Sequence, residues 1–211
     1  MPDKDFYHEG MIALQDQAGG RAIADLLATK VRHDVFSDSD RAQIATAAFF
    51  FIATCFRDVP DCSIKAGTPG FVKITGPNTL EFPDYDGNLM FRTLGNISKN
   101  PNVGLLFVTL DAAPKRLRIS GTARFFRDPG RLKGHLDAKA VVEVTCSDIY
   151  PNCPRYIPNV EEGIPSVYLP KEGVKSPAPQ WKTYPFVTPL LPPNDIHKDE
   201  ILAAAVAKDG A

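Results

Sequence analysis

The sequence predicts one mainly β domain with flanking helices. Three observations carry that expectation. Between Pro60 and Val108, short strand-like runs alternate with turn residues in PDCSIKAGTPGFVKITGPNTLEFPDYDGNLMFRTLGNISKNPNVGLLFV. Long apolar and β-branched runs follow in VGLLFVTL and RLRISGTARFF. Helical spacing is strongest near the N-terminus, where Ile23, Leu26, Leu27 and Val31 recur in RAIADLLATKVRH. The 211 residues suit a single domain and suffice to bury a sizeable core.

In chain order, residues 6–33 read as helical, one face packing on the β core or on a partner. Ser37-Asp38-Ser39-Asp40 offers N-caps for a second helix to about Ala48. FFFIATCF is a first buried strand, Val59-Pro60-Asp61 a turn and CSIKAG a second strand. Its alternation puts Ser63 and Lys65 on one face and Cys62 and Ile64 on the other. FVKI resumes as strand after Gly67-Thr68-Pro69-Gly70, and Gly76-Pro77-Asn78 turns the chain into TLEFP. Asn88 to Asn100 reads as a helix stopped by Pro101. VGLLFVTL is nearly all apolar, which predicts burial on both faces. RLRISGTARFF is the next strand, with Arg116 and Arg118 on one face. Residues 129–140 suit a helix and VVEVTCSDIY a last strand.

Prolines then recur from Pro151 to Pro193, excluding long helices and central strands. They predict an extended arm crossing this chain's surface or a partner's, with a short helix near Asp195–Val206. The organisation is a helical segment at 1–48, a β core at 49–158 and a proline-rich arm at 159–211, one structural domain overall.

Composition bounds the function. With 24 basic and 25 acidic residues the net charge is −1, so no nucleic acid or anionic membrane is implied. The polar, acidic start lacks a secretory signal's basic and apolar regions. The apolar run IATAAFFFIATCF is too short to span a bilayer. Cys55, Cys62, Cys146 and Cys153 lack zinc-knuckle or CxxC spacing and predict reduced, mostly buried thiols in a cytoplasmic protein. The four histidines are scattered, so no metal site is expected. GxSxG, Walker, GxGxxG and HExxH motifs are absent. Asp84 and Asp86 share one loop and do not form a glycosidase-like pair.

The DYDGN loop stands out. Gly87 permits unusual backbone angles, and the N–H groups of Asn88 and Leu89 would open a helix, suiting either a phosphate or a plain turn. Lys65 either faces solvent or meets a polar ring edge or phosphate. Arg116 and Arg118 carry the same two readings. Arg155 in NCPRY is either an anion contact or part of the corner where the arm begins. Trp181 either covers a planar ligand or anchors the arm.

Four motifs in order, PDCSIKAGTPGFVKI, LEFPDYDGNLMFRTLGNISKNPNVGLLFV, RLRISGTARF and IYPNCPRYIP, resemble a branch of the pyridoxamine 5'-phosphate oxidase-related family of FMN-binding split-barrel proteins. YHEGMIALQDQ and DSDRAQI also fit, so the resemblance runs from Phe6 to Pro158. It implies a six-stranded split barrel and a homodimer with two FMN sites at the subunit interface. Ser63 and Lys65 would line the flavin ring, and Pro83, Asp84 and Tyr85 would run along it. Gly87 and Asn88 would hold the phosphate side, with Arg116 opposite and Arg155 as a further anion contact. The implied activity is that of an FMN-dependent oxidoreductase acting on a small molecule or a nicotinamide. Alternatives are a flavin-binding or redox-partner protein without robust turnover, or a split barrel binding F420 or haem. The chain departs from the enzyme that makes pyridoxal phosphate. SIKAGT stands where that enzyme resembles R-x-V-L-L-K, and DYDGNL where it has N-Y-x-S-R-K. Its arginine- and tryptophan-containing C-terminal motif has no evident counterpart. These changes thin the basic grip on a phosphate.

Overall fold

The structure is a computed structural model that describes residues 6–160, 167 and 174–209. Its strands are β1 (Phe49–Phe56), β2 (Val59–Ala66), β3 (Lys73–Ile74), β4 (Thr79–Asp84), β5 (Asn102–Val108), β6 (Arg116–Phe126) and β7 (Ala140–Pro151). They form one antiparallel sheet in the order β2-β1-β5-β6-β7-β4-β3. The fold class is the expected one, mainly β with helices at its flanks. The sheet has seven strands because the FVKI segment adds the short β3 beside β4.

Register fixes the two faces of the sheet. Phe50 and Ile52 of β1, Leu105 and Phe107 of β5, and Leu117 and Ile119 of β6 point to one side. Val142 and Val144 of β7 and Leu80 and Phe82 of β4 join them, all buried in one cluster. At its centre the Phe50 ring lies 4.8 Å from Phe107, 4.9 Å from Phe82 and 6.0 Å from Phe71. Four strands separate β2 from β4 in the sheet, yet Lys65 Nζ of β2 donates to Asp84 Oδ1 of β4 at 3.0 Å. The right-handed twist of strands permits such curling. The sheet is therefore rolled into a barrel whose β2/β4 seam is bridged by side chains rather than a backbone ladder.

Several local expectations are corrected. The first turn is Arg57-Asp58, both left-handed (φ 48° and 61°), a two-residue hairpin turn. Pro60 lies inside β2, which tolerates it because β2 is an edge strand. The β5 strand alternates rather than being buried on both faces: Val103, Leu105 and Phe107 are buried, whereas Gly104, Leu106 and Val108 are half-exposed. The expected 129–140 helix is only about one turn, Pro129–Leu132, N-capped by Asp128.

The chain divides into two compact units. His33–Pro154 and Pro158–Ile164 form the barrel unit. It includes α3 (Asp38–Thr46), whose Ser37–Asp40 capping box matches the expected N-cap. The other unit comprises Met1–Arg32, Arg155–Ile157 and Pro165–Ala211. Its N-terminal helix is split into α1 (Glu9–Gln17) and α2 (Arg21–Lys30) by Gly19 at φ 63°. Its core joins Ile23 of α2 to Val187, Leu191 and Ile201, the last from the C-terminal helix Lys198–Asp209. Buried Lys182 and His197 are tied to Asp195 and Glu200. Burial alone would raise the Asp195 carboxyl, but hydrogen bonds from Lys182 and the His197 N–H hold it low. Most of the expected extended arm between residues 161 and 173 lies outside the described residues.

All four cysteines are free, but only Cys146 is buried, where desolvation pushes its thiol up to about 12. Among the described residues no helix is long and apolar enough to cross a membrane, and no cluster of three His, Cys, Asp or Glu could hold a metal.

Candidate functional site

The β2/β4 seam opens into a cleft of about 770 Å³. One wall is the inner face of β2, from Asp61 to Ala66. The base is the C-terminal end of β4, Pro83 and Asp84, with Lys139 and Ala140 beside it. The far wall is the loop from Tyr85 to Phe91 and the start of α4 (Arg92–Ile97).

Alternation along β2 explains the first wall. Asp61, Ser63 and Lys65 pair with Thr54, Ile52 and Phe50 of β1 and so share the barrel-facing side. Lys65 is only 17% exposed because its stem runs along this apolar interior and its head reaches Asp84. Asp61 receives a hydrogen bond from Arg92 Nε at 3.0 Å, which fixes the start of α4 against β2. Asn96 of the same helix donates to Thr54 Oγ1 at 3.0 Å, pinning it under β1.

The loop departs from the sequence expectation. The helix begins at Arg92, not Asn88, so Asn88 and Leu89 present no helix N-terminus. Gly87 does not take the left-handed conformation it alone would favour; Leu89 and Phe91 do, at φ 63° and 50°. Non-glycine residues hold such angles at a cost of about 1 kcal/mol or more each. Asn88 Oδ1 accepts from the Met90 N–H at 3.1 Å, an internal turn bond that supports this shape. Tyr85, Leu89, Met90 and Phe91 are all exposed, giving the cleft an apolar rim.

Behind the base, on the outer barrel face, a charged row stiffens the sheet. Arg124 of β6, Glu143 of β7, Glu81 of β4 and Lys73 of β3 are cross-strand neighbours. The two glutamates face each other, an unfavourable pairing unless bridged. Arg131 bridges them, at 2.8 Å from Glu143 and 3.3 Å from Glu81. Arg124 adds a 2.6 Å contact to Glu143, and the buried His135 ring lies 3.1 Å from Glu81. The Lys73 ammonium donates to the Gly134 carbonyl. Burial alone would raise the Glu143 carboxyl, but hydrogen bonds from Arg131 and Arg124 hold it below its ordinary value. This network clamps the β6–β7 connection to the sheet. Lys139 leaves that connection by donating its N–H to the Asp84 carbonyl at 2.8 Å.

Of the residues singled out from sequence, Ser63, Lys65, Pro83, Asp84, Tyr85, Gly87 and Asn88 line this one cleft. Arg116 does not. It sits on the outer face of β6, where its guanidinium donates to the Asn152 side chain and, at 2.6 Å, to the Cys153 carbonyl. Arg155 belongs to the N- and C-terminal unit, with its guanidinium 5.4 Å from the Tyr156 ring centre. The cleft also contains Asp61, Arg92, Arg127 and Lys139, which sequence reasoning did not select. Arg127 directly follows the FF of β6, and only Ala140 separates Lys139 from the VVEV run. Only the β6/β7 register brings them together.

This barrel and its cleft belong to a recognisable class. A sequence model of the pyridoxamine 5'-phosphate oxidase family matches residues 36–151, just over half of the chain. The chain belongs to that family. No curated protein matches it. Among solved structures, HupZ from Group A Streptococcus has a TM-score of 0.43 and 17% identity, covering 55% of this chain and 93% of that one. An FMN-binding protein from Syntrophomonas wolfei subsp. wolfei has a TM-score of 0.40 and 12% identity, covering 55% and 89%. The FAD binding protein from Mycobacterium smegmatis has a TM-score of 0.41 and 17% identity, covering 57% and 97%. Likenesses this distant carry no argument about activity.

Proposed function

We propose that this is a flavin-binding protein, with FMN as the flavin, and that it works as an oxidoreductase on a small molecule or a nicotinamide. The observation carrying the reading is the seam cleft with Lys65 and Ser63 on its inner wall, in a chain of this family. The residues present suit a flavin. A cleft of about 770 Å³ is within the range for a ligand of this size. Its rim is apolar, its inner wall carries a hydroxyl and an ammonium, and four cations line it.

When bound, a flavin supplies hydride and electron transfer. The chain supplies placement and charge. Lys65, held by Asp84 and backed by Phe50, provides a fixed positive charge against a ring edge that becomes anionic on reduction. Ser63, two residues earlier on the same face, provides a hydroxyl. The exposed Tyr85 and Phe91 offer aromatic surface at the rim.

The test is direct. Purified protein should carry or take up FMN, read by its visible bands and by the mass of the released chromophore. Lys65→Ala should weaken FMN binding about tenfold, the worth of one charge-assisted hydrogen bond. A protein that stays colourless after FMN is added would end the reading, and unchanged affinity and reactivity in Lys65→Ala would remove the lysine's role.

One observation supports a second reading, a flavin carrier or redox partner without robust turnover. Asp61 and Asp84 are tied to cations, and no histidine lines the cleft. Reduction of bound flavin by NADH or NADPH, with reoxidation in air, separates the two.

The protein's partner in this proposal is a second copy of itself, with the flavin sites at the interface. Ile64 of β2, Phe51 of β1 and Leu106 of β5 are cross-strand neighbours on the outer face. Ile64 is 56% exposed, and the other two are half-exposed. An apolar stripe of this kind is a common site of association. Sedimentation should give a dimer at micromolar concentration, and a flavin-loaded monomer would count against an interface site. The free thiols suit a reducing compartment, so a cytoplasmic location is part of the proposal.

A further inference from the structure

The cleft contains four cations, and the structure separates them into two kinds. Lys65 and Arg92 are each held by a carboxylate, Asp84 and Asp61, at 3.0 Å. Each already spends a donor on a carboxylate, so a phosphate dianion there would have to compete with aspartate. Arg127 and Lys139 have no carboxylate at ion-pair distance among the described residues. The Arg127 guanidinium lies 5.6 Å from the ring centres of both Phe91 and Phe125. Such contacts steady the plane of the guanidinium without occupying its N–H donors.

The backbone under these two side chains is fixed. The last pair of the β6/β7 ladder is Phe126 with Val141, so Arg127 and Lys139 emerge at the same end of the sheet. The β4/β7 ladder ends there too, with Asp84 beside Ala140. The connection between them is clamped by Arg131 and His135 on the outer glutamates. A fixed backbone under these cations spares them the cost of ordering main chain when they take up a ligand. An arginine fork beside a lysine point charge matches a phosphate dianion.

We infer that Arg127 and Lys139 form the phosphate seat of the cleft and set its preference for a phosphorylated over an unphosphorylated ligand. The seat rests on the flavin reading for its occupant. It replaces the expected grip by Asn88, Arg116 and Arg155. The Asn88 loop offers no helix terminus, and neither arginine lines the cleft.

The experiment compares FMN with riboflavin, which differs by the phosphate alone, by fluorescence titration. It uses the full chain and the double variant Arg127→Gln, Lys139→Gln. Glutamine keeps the side-chain stem, and both positions are exposed, so the fold should survive. Retained riboflavin binding confirms that it has. Wild-type protein should bind FMN about tenfold or more tightly than riboflavin, and the variant should bind the two alike. A variant that keeps the FMN preference, or a wild type that shows none, overturns the seat. If the wild type binds neither flavin, the flavin reading fails by itself, and pyrophosphate becomes the probe. Thermal protection of the wild type but not of the variant would then uphold the seat, and no protection of the wild type would overturn it.

Discussion

Gly121→Ala should be the most damaging single methyl addition in the barrel. A Cβ built on Gly121 would lie 2.3 Å from the Thr145 carbonyl oxygen and 3.0 Å from both Thr145 C and Cys146 Cα. All three are backbone atoms of β7, so no side chain can swing away to make room. The position has no unusual φ; space alone demands glycine there. The cause is a β-bulge: the pairing steps from Ser120↔Asp148 to Gly121↔Cys146, leaving Ser147 as the extra residue and drawing the strands together. Relief requires parting β6 from β7, the most extensively paired strands of the sheet. The expected loss is about 3 kcal/mol or more, at the upper end for overpacking. For a chain of this size that lowers the thermal midpoint by about 10 °C, or prevents folding. Gly95→Ala is the control. Nothing lies within 4 Å of its added methyl, it sits inside α4, and helix propensity favours alanine there. Circular dichroism melts of the two variants decide the matter. A Gly121→Ala protein that melts with the wild type would show that the strands are not so close at the bulge.

What the sequence makes legible here follows the range of the interactions involved. FFFIATCF, CSIKAG, TLEFP and RLRISGTARFF carry strand-forming residues or alternation in their own sequence, and each falls in a strand, although β2 starts three residues before CSIKAG. The same alternation puts Ser63 and Lys65 together on the cleft wall. Turn chemistry misleads where tertiary packing overrides it. Arg57 and Asp58 take left-handed angles usually left to glycine or asparagine, while Pro60, a turn former, sits in an edge strand. The loop after Asp84 fails the same way: Gly87 draws attention, but Leu89 and Phe91 carry the unusual backbone, which moves the helix start to Arg92. Arg127 and Lys139 could not be seen at all. In sequence they are unremarkable charges twelve positions apart, and only the pairing of Phe126 with Val141 joins them. Long-range register likewise hides the Glu81–Arg131–Glu143 clamp. Ile23 and Ile201 meet in one small core from opposite ends of the chain, which no local pattern announces.

Phe50→Ala should couple the loss of core to the loss of the cleft. Phe50 is fully buried, and its ring touches Phe82 and Phe107 across the barrel interior at 4.9 and 4.8 Å. Removing such a ring costs about 3–5 kcal/mol through lost burial and the cavity left behind. Phe50 also stands directly opposite Lys65 in the β1/β2 register. The ring therefore backs the lysine stem that bridges the seam to Asp84, and Phe82 beside it lies two residues before Asp84 on β4. Truncation should loosen both ends of that bridge at once. The expected result is a thermal midpoint lowered by about 10 °C or more, together with weaker flavin binding by the molecules that remain folded at low temperature. Phe50→Leu separates the two effects. Leucine keeps most of the apolar volume and should recover much of the stability, since near-conservative hydrophobic exchanges cost about 1.5 kcal/mol or less. If the ring acts on the site only through the core, Phe50→Leu should also recover flavin affinity. Affinity that stays low in a stable Phe50→Leu protein would instead show that the aromatic ring itself holds Lys65 in place. A Phe50→Ala protein that melts and binds flavin as the wild type does would remove the ring from both roles.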